Sequence, residues 1–292
     1  MFKYIVVLSF VLAITACDIK GVETNNNSNQ ESDSLIVAKD SSQIDKAEVE
    51  SANSASSNDK QDSLELENGI KITWYKHGEG KLLSKGDVIK IDYRNKLEDG
   101  TVYDGNHLVK KPYLPFVVGW NQQTPGWDIA MNYLRVGDDV DIFIPAEFAR
   151  GDKGIKGVVP PNANNLLSLR VLDEMDPMTE FRGVKIYKVD ERKNPGDSVK
   201  MKDEVYMDYW AHTESKPRFD YSYGKRVPYH FIMGDGTLVP GLEKALLSAR
   251  EGDKLLIFIP SELGYGKEGL KTVVKPGEDL LYDIMISKVI KA

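Results

Sequence analysis

The chain repeats itself at a constant offset of 115 residues, and this repeat limits its architecture more than any other feature. Gly119 recurs as Gly234, and Pro125-Gly126 as Pro240-Gly241. Arg135, Gly137-Asp138, Ile142-Phe143-Ile144-Pro145 and Glu147 recur as Arg250, Gly252-Asp253, Ile257-Phe258-Ile259-Pro260 and Glu262. Gly151, Val158-Val159 and Pro161 return as Gly266, Val273-Val274 and Pro276. Upstream, Tyr93 and Asp104 match Tyr209 and Asp220 at an offset of 116, so one intervening loop differs by a single residue. A period this long, used twice, predicts tandem globular domains and not a solenoid. The expected domains are 68–177 and 178–292.

Periodicity outlines each domain. Ile89, Ile91 and Tyr93 alternate with polar residues, as do Val205, Met207 and Tyr209, which predicts half-buried strands. Val140, Ile142 and Ile144 share a face; so do Leu255, Ile257 and Ile259. Leu167, Leu169 and Val171, and again Tyr282, Ile284 and Ile286, mark a closing strand. Between the strands, Trp127, Ala130, Met131 and Leu134 follow helical spacing, as do Leu242, Ala245, Leu246 and Ala249. Pro125 and Pro240 stand where helices begin, because the first turn leaves the missing donor unneeded. Many strands and one short helix predict an α+β domain, an antiparallel sheet packed on a helix.

The ordered series Y-x9-[FY]-D, F-x2-G, P-G-[WL], R-x-G-D, I-F-I-P and V-V-x-P occurs twice, with G-Y-G before V-V-x-P in the second copy. It resembles that of FKBP-type peptidyl-prolyl cis-trans isomerases over nearly all of 68–292. The resemblance implies a curved antiparallel sheet wrapping one short helix, with an apolar pocket between them. In the second domain it implies pocket walls from Tyr209, Phe219 and Asp220, and aromatics at Tyr229 and Phe231. Leu238 and Val239 match an aliphatic pair whose second backbone N–H points at a substrate carbonyl. Tyr265 matches a ligand-binding tyrosine, while Val274 and Tyr282 close the pocket. Leu242 stands where many members have a tryptophan floor.

The first domain matches at Tyr93, Tyr103, Asp104, Trp127 and Val159. It departs at Leu114 and Leu167, which replace aromatics, and at Gln123-Thr124, which replaces the aliphatic pair. Arg150 takes the place of the ligand-binding tyrosine, so this pocket is expected to be wetter and weaker. Aromatics at strand spacing are more often plain core. The two aspartates argue for pockets instead, since a carboxylate beside strand aromatics is costly to bury unpaired.

The implied reaction, rotation of an X-Pro bond, needs no nucleophile, metal or cofactor, and implies proline-containing or unfolded polypeptides as partners. A rival reading is a non-catalytic chaperone or scaffold built on degenerate copies of the same fold. Composition agrees with both. Four scattered histidines and one cysteine offer no metal-ligand pattern. A net charge of −7, with the two repeats together neutral, argues against nucleic acid. The G-x-G-x-x-G string at 264–269 lacks the strand-turn-helix pattern that a dinucleotide site requires.

Residues 1–17 carry one lysine, an apolar run from Tyr4 to Ile14, then small residues. This is the layout of an export signal, too short for a permanent span. The string Ile14-Thr15-Ala16-Cys17 resembles a bacterial lipoprotein signal, implying loss of residues 1–16 and acylation of Cys17. A plain export signal with an incidental cysteine is the competing reading. From 17 to 67 there is no aromatic or proline, and 12 acidic side chains face four basic ones, so an unordered, lipid-anchored linker is expected. The expected location is a bacterial cell-envelope membrane, on the periplasmic side or the surface.

Overall fold

The computed structural model describes residues 62–189 and 196–292; the signal region, Cys17 and most of the linker lie outside the described residues. Two seven-stranded antiparallel sheets follow one another along the sequence. The first uses β1 (Ser63–Glu65), β2 (Lys71–Lys76), β3 (Val88–Lys96), β4 (Val102–Gly105), β5 (Leu114–Val117), β6 (Asp139–Ile144) and β7 (Asn165–Glu174). The second uses β8 (Thr179–Phe181), β9 (Val184–Lys188), β10 (Glu204–His212), β11 (Asp220–Tyr221), β12 (Tyr229–Ile232), β13 (Lys254–Ile259) and β14 (Leu280–Ile290). Their orders, β1-β2-β6-β7-β3-β4 and β8-β9-β13-β14-β10-β11, correspond strand for strand, with β5 and β12 also pairing to β3 and β10.

The alternation read from the sequence sets the faces. Ile89, Ile91, Val140, Ile142, Ile144, Leu167 and Leu169 all point into the first core, and Leu255, Ile257, Ile259, Tyr282, Ile284 and Ile286 into the second. A bulge interrupts β3 against β7 at Lys90/Ile91 and β10 against β14 at Tyr206/Met207, the same place in each repeat. Bulges bend a strand and sharpen its twist, which suits a sheet that must wrap a helix.

One helix fills each concavity: α1 (Pro125–Met131) and α2 (Pro240–Leu246). Both are a turn shorter than the apolar spacing predicts. Leu134 and Ala249 lie beyond them, where Leu134 N–H donates to Met131 O at 3.2 Å and Ala249 N–H to Leu246 O at 2.9 Å. Such i to i−3 bonds tighten the end of a helix and still bury its last apolar residue. Gly126 and Gly241 allow the close approach, because a Cβ at either would overlap Ile144 Cγ2 or Ile259 Cγ2. The repeated R-x-G-D is structural: Asp138 Oδ2 accepts Arg135 N–H at 2.8 Å, and Asp253 Oδ2 accepts Arg250 N–H at 2.9 Å.

Each sheet also gains two strands at its start that the motifs did not mark. The expected linker ran to Glu67, yet Ser63, Leu64 and Glu65 pair with Thr73, Ile72 and Lys71, and Leu64 and Leu66 pack on the core. Their apolar area outweighs the polar company they keep in sequence. The alternation of Ile70, Ile72 and Trp74 is the signal for β2.

A third apolar cluster joins the repeats. Val88, Val117 and Trp120 of the first meet Tyr187, Leu256 and Leu281 of the second, and Trp120 stands edge-on to Phe258 with ring centroids 5.2 Å apart. Glu214 pairs with Lys85, and its carbonyl accepts Asn121 Nδ2–H at 3.0 Å. A cavity of about 230 Å³ lies in this seam, lined by Trp210, Tyr223, Leu256 and the carboxyl of Asp283. Burial pushes that carboxyl up to about 6, with Lys254 opposing. A raised acid favours the fold fully below its unfolded value near 4, and the benefit is lost as pH rises through 6. Asp283→Asn is therefore expected to melt above wild type at pH 7, with the gap closing below pH 4; a gap constant across that range would refute this.

Candidate functional site

In the second repeat, six aromatic side chains form one connected group over α2. Tyr209 on β10 meets Tyr229 edge-on at 5.7 Å and tilts against Tyr282 at 6.1 Å. Tyr229 stacks on Phe231 at 5.7 Å, and Phe219 meets Tyr265 edge-on at 6.4 Å. The Tyr265 and Tyr282 hydroxyls interact, completing the link. Beneath them Leu242 and Val274 are buried, while Phe219, Tyr229, Leu238, Val239 and Tyr265 are partly buried against the same core. Of the residues expected in this pocket, every one belongs to or borders that group.

The polar atoms are few and paired. Tyr209 O–H donates to Asp220 Oδ2 at 2.6 Å, and Tyr221 N–H donates to Asp220 Oδ1 at 2.8 Å. Burial, then the Asp220 carboxylate, push the Tyr209 hydroxyl well above the usual phenol range. Burial also raises Tyr265 and Tyr282. All three phenols are therefore protonated donors at neutral pH. Asp220 itself is exposed at the rim, which corrects the burial-cost argument made for it from sequence. A rim carboxylate keeps its water and needs no buried partner. Val239 precedes α2 in extended conformation, and its N–H donates to no other described group.

The first repeat builds the same shell with different contents. Trp127 forms a buried floor, edge-on to Tyr93 at 5.1 Å and tilted to Phe116 at 5.4 Å. Leu167 is fully buried, and Leu114 packs on the core while also lining the seam cavity. Val159 is buried in its own loop, its N–H donating to Ile155 O at 2.8 Å. Tyr93 O–H donates to Asp104 Oδ2 at 3.1 Å, and Asp104 is half-buried. Thr124 is buried, and Arg150 Nη2 donates to Gln123 Oε1 at 3.2 Å.

Two residues outside the family pattern separate the pockets. Asn95 and Asn165 are 1% and 3% exposed, and Asn165 Nδ2 donates to Asn95 Oδ1 at 2.9 Å. Tyr103 O–H donates to Asn165 Oδ1 at 2.8 Å, and burial pushes that hydroxyl up to about 12 against the opposing Arg150. Asn95 Nδ2 also reaches toward Asp104 Oδ2 at 3.5 Å. The equivalent positions in the second repeat are Ala211 and Leu280, both wholly buried. The first pocket therefore rests on a polar network where the second rests on hydrocarbon. The signal lies in the sequence, since the repeat offset pairs each asparagine with an apolar residue.

Asn106 and Ser222 also escape the motif pattern. The edge of β3 is paired by β5 up to Ile91 and by β4 from Arg94, leaving Tyr93 N–H in the gap, where Asn106 Oδ1 accepts it at 2.8 Å. Ser222 Oγ does the same for Tyr209 N–H at 3.0 Å. Both pocket tyrosines are fixed by this bond. No group of three or more His, Cys, Asp or Glu among the described residues is placed to hold a metal. Gly264 and Gly266 lie in a turn, Gly269 comes just after it, and no helix follows them.

Comparison with known proteins gives two matches to one family, FKBP-type peptidyl-prolyl cis-trans isomerase, at residues 80–171 and 196–287. The protein is similar to peptidyl-prolyl cis-trans isomerase FKBP10 of Mus musculus, 25% identical over 70% of this chain and 34% of the relative. It is 28% identical to peptidyl-prolyl cis-trans isomerase FKBP9 of Bos taurus, over 70% of this chain and 35% of the relative. It thus spans about a third of the length of these relatives. FK506-binding protein 1 of Candida glabrata is 33% identical over 37% of this chain and 94% of its own length. The crystal structure of the three FKBP domains of wheat FKBP73 covers 77% of this chain and 97% of that one, at 20% identity and a TM-score of 0.39.

Proposed function

Because the chain belongs to the FKBP-type peptidyl-prolyl cis-trans isomerase family, we propose that it rotates X-Pro bonds of polypeptides, mainly in its second domain. Such bonds interconvert in tens to hundreds of seconds, slowly enough to limit folding. At the barrier the amide is twisted, its C–N bond loses double-bond character, and its charge separation falls below that of the planar form. Surroundings that exclude water therefore favour the twisted state over the planar one, which is what lowers the barrier. The observation carrying this reading is the aromatic group around Tyr209 over an apolar floor, with the unengaged Val239 N–H at its edge.

In this reading Val239 N–H and Tyr265 O–H hold substrate carbonyls. Phe219, Tyr229, Phe231, Leu242 and Tyr282 exclude water, and Tyr209 with Asp220 sets the electrostatics beside the twisting bond. The test is isomerisation of a proline peptide by the full-length protein. Loss of one neutral hydrogen bond costs about 1 kcal/mol, so Tyr265→Phe is expected to slow it by less than about tenfold. A protein that shows no isomerisation yet suppresses aggregation of an unfolded polypeptide would replace this reading with a chaperone. The buried Asn95 and Asn165 favour binding over catalysis in the first domain.

We further propose that the substrates are exported polypeptides and that the protein sits on a bacterial cell-envelope membrane through lipid on Cys17. The support is the Ile14-Thr15-Ala16-Cys17 string followed by an acidic, polar stretch. A fatty-acid probe fed to cells should label the wild type and leave Cys17→Ser unlabelled; an unlabelled, soluble wild type would end this proposal.

A further inference from the structure

The seam between the repeats holds a cavity that neither pocket accounts for. Its volume, about 230 Å³, exceeds the roughly 150 Å³ of a cavity that takes benzene. One aromatic ring with a short polar chain fits that space. The walls come from both domains, with Tyr113, Leu114 and Gln122 on the first side and Trp210, Tyr223 and Leu256 on the second. An apolar chamber at a domain interface, with a few polar groups turned into it, is the usual build of a small-molecule site.

Two of the polar groups lining this cavity, Asp283 and Lys254, carry opposite charges and are not joined. Asp283 on β14 lies directly across from Leu256 on β13, and Lys254 directly across from Met285. Asp283 and Lys254 are therefore diagonal neighbours on one face of the sheet, about 7–8 Å apart in such a pair. The lysine stem is long enough to close that gap. Yet neither side chain forms an ion pair, with the other or with any further group among the described residues. Tyr223 likewise leaves its hydroxyl without a hydrogen bond among the described residues. Burial raises the Asp283 carboxyl to about 6, so at neutral pH it is mostly ionised. A carboxylate covered by protein and left unpaired is costly, which singles this one out. Lys111 also lines the cavity but is exposed and keeps its water. Arg218 already lies 5.1 Å from the centre of the Trp210 ring, and Lys90 5.7 Å from that of Tyr113, so those rings serve as apolar walls and not as seats for a further cation.

We infer that the seam is a binding site for a small amphoteric molecule, an apolar or aromatic body bearing one ammonium for Asp283 and one carboxylate for Lys254. An ionised aspartate only accepts hydrogen bonds and an ammonium only donates them, so each selects the opposite charge. A ligand with a single charge satisfies one of the two and is repelled by the other. An aromatic amino acid has this chemistry at this size. An occupant touching Gln122 and Trp210 together also clamps the two repeats. The inference is independent of prolyl isomerisation, because no residue of the second pocket lines this cavity.

Probes of one shape test it, each titrated into the full-length protein: L-phenylalanine, 2-phenylethylamine and 3-phenylpropionate. The indole N–H signals of the tryptophans report the place by NMR, because Trp210 lines the cavity while Trp127 is buried in the floor of the first pocket. Phenylalanine gains one charge-assisted bond over each single-charge probe, so it should bind about tenfold more tightly than either. It should move the Trp210 signal and leave that of Trp127 in place. Asp283→Asn should weaken phenylalanine and the amine by about tenfold without weakening the acid, and Lys254→Met should do the converse. Melting curves show that the variants stay folded, with Asp283→Asn expected above the wild type at pH 7. Phenylalanine binding no tighter than the single-charge probes, binding that moves Trp127 or no indole signal, or binding indifferent to either substitution overturns the inference. So does an absence of binding by every probe, which would mean that Lys254 swings onto Asp283 and closes the site.

Discussion

Phe219→Ala lowers kcat/KM for proline isomerisation by the full-length protein roughly 30- to 100-fold, the equivalent of about 2–3 kcal/mol of lost apolar contact. Phe219 is partly buried against the second core and stands edge-on to Tyr265. Its loss opens the pocket to water as well as removing a wall, and water restores the advantage of the planar, charge-separated amide. The matching change in the first pocket, Tyr103→Ala, should cost less than about threefold, because that ring lies on a polar network in a pocket that contributes little to turnover in this reading. Circular dichroism on both variants separates a lost wall from a lost fold. If the two substitutions slow the reaction equally, the division of labour between the domains is wrong.

The largest loss of stability is expected from a single added methyl. In Gly241→Ala the new Cβ would overlap Ile259 Cγ2 and lie 3.1 Å from both Leu263 Cβ and Leu263 O. Ile259 is wholly buried in β13, so neither side can retreat without moving α2 off the sheet. Overpacking of this kind costs about 1–3 kcal/mol or more, and the roughly 1 kcal/mol that alanine gains over glycine in a helix does not offset a clash against a fixed strand. Displacing α2 also moves Val239, so activity should fall with stability. Gly126→Ala, facing Ile144 Cγ2, should do the same to the first domain. An unfolding midpoint in urea unchanged by either substitution would show that the helices float on their sheets.

Much of this architecture is legible in the sequence because the strand period is two, and because each strand has one face on a helix. Ile89, Ile91 and Tyr93 are assigned to the core by alternation alone, and P-G opens both helices for a reason of covalent geometry. The pockets are legible through the repeat, which sets Tyr265 against Arg150 and Val239 against Thr124 when the two copies are aligned. The seam is harder. Leu256 and Phe258 face away from the second core, and an outward apolar residue announces only that something covers it. The continuous apolar run from Leu255 to Ile259 is the hint, since strands buried on both faces lose their alternation.

What the amino-acid order determined by itself is local and periodic: two copies of one α+β unit, their strand faces, their helix starts, and a set of side chains sharing a family pattern. Those features depend on neighbours within a few residues, or on a motif compared with its own copy. Only the tertiary structure decided which polar atoms find partners. Asn95 and Asn165 are 70 residues apart and bond to each other, which makes two asparagines in strands a buried network and not a wet face. Thr124 and Arg150 each bury a polar atom without a partner of its own. Hydrogen bonding is satisfied in three dimensions, at distances near 3 Å, and no spacing along a sequence states who will be within that reach.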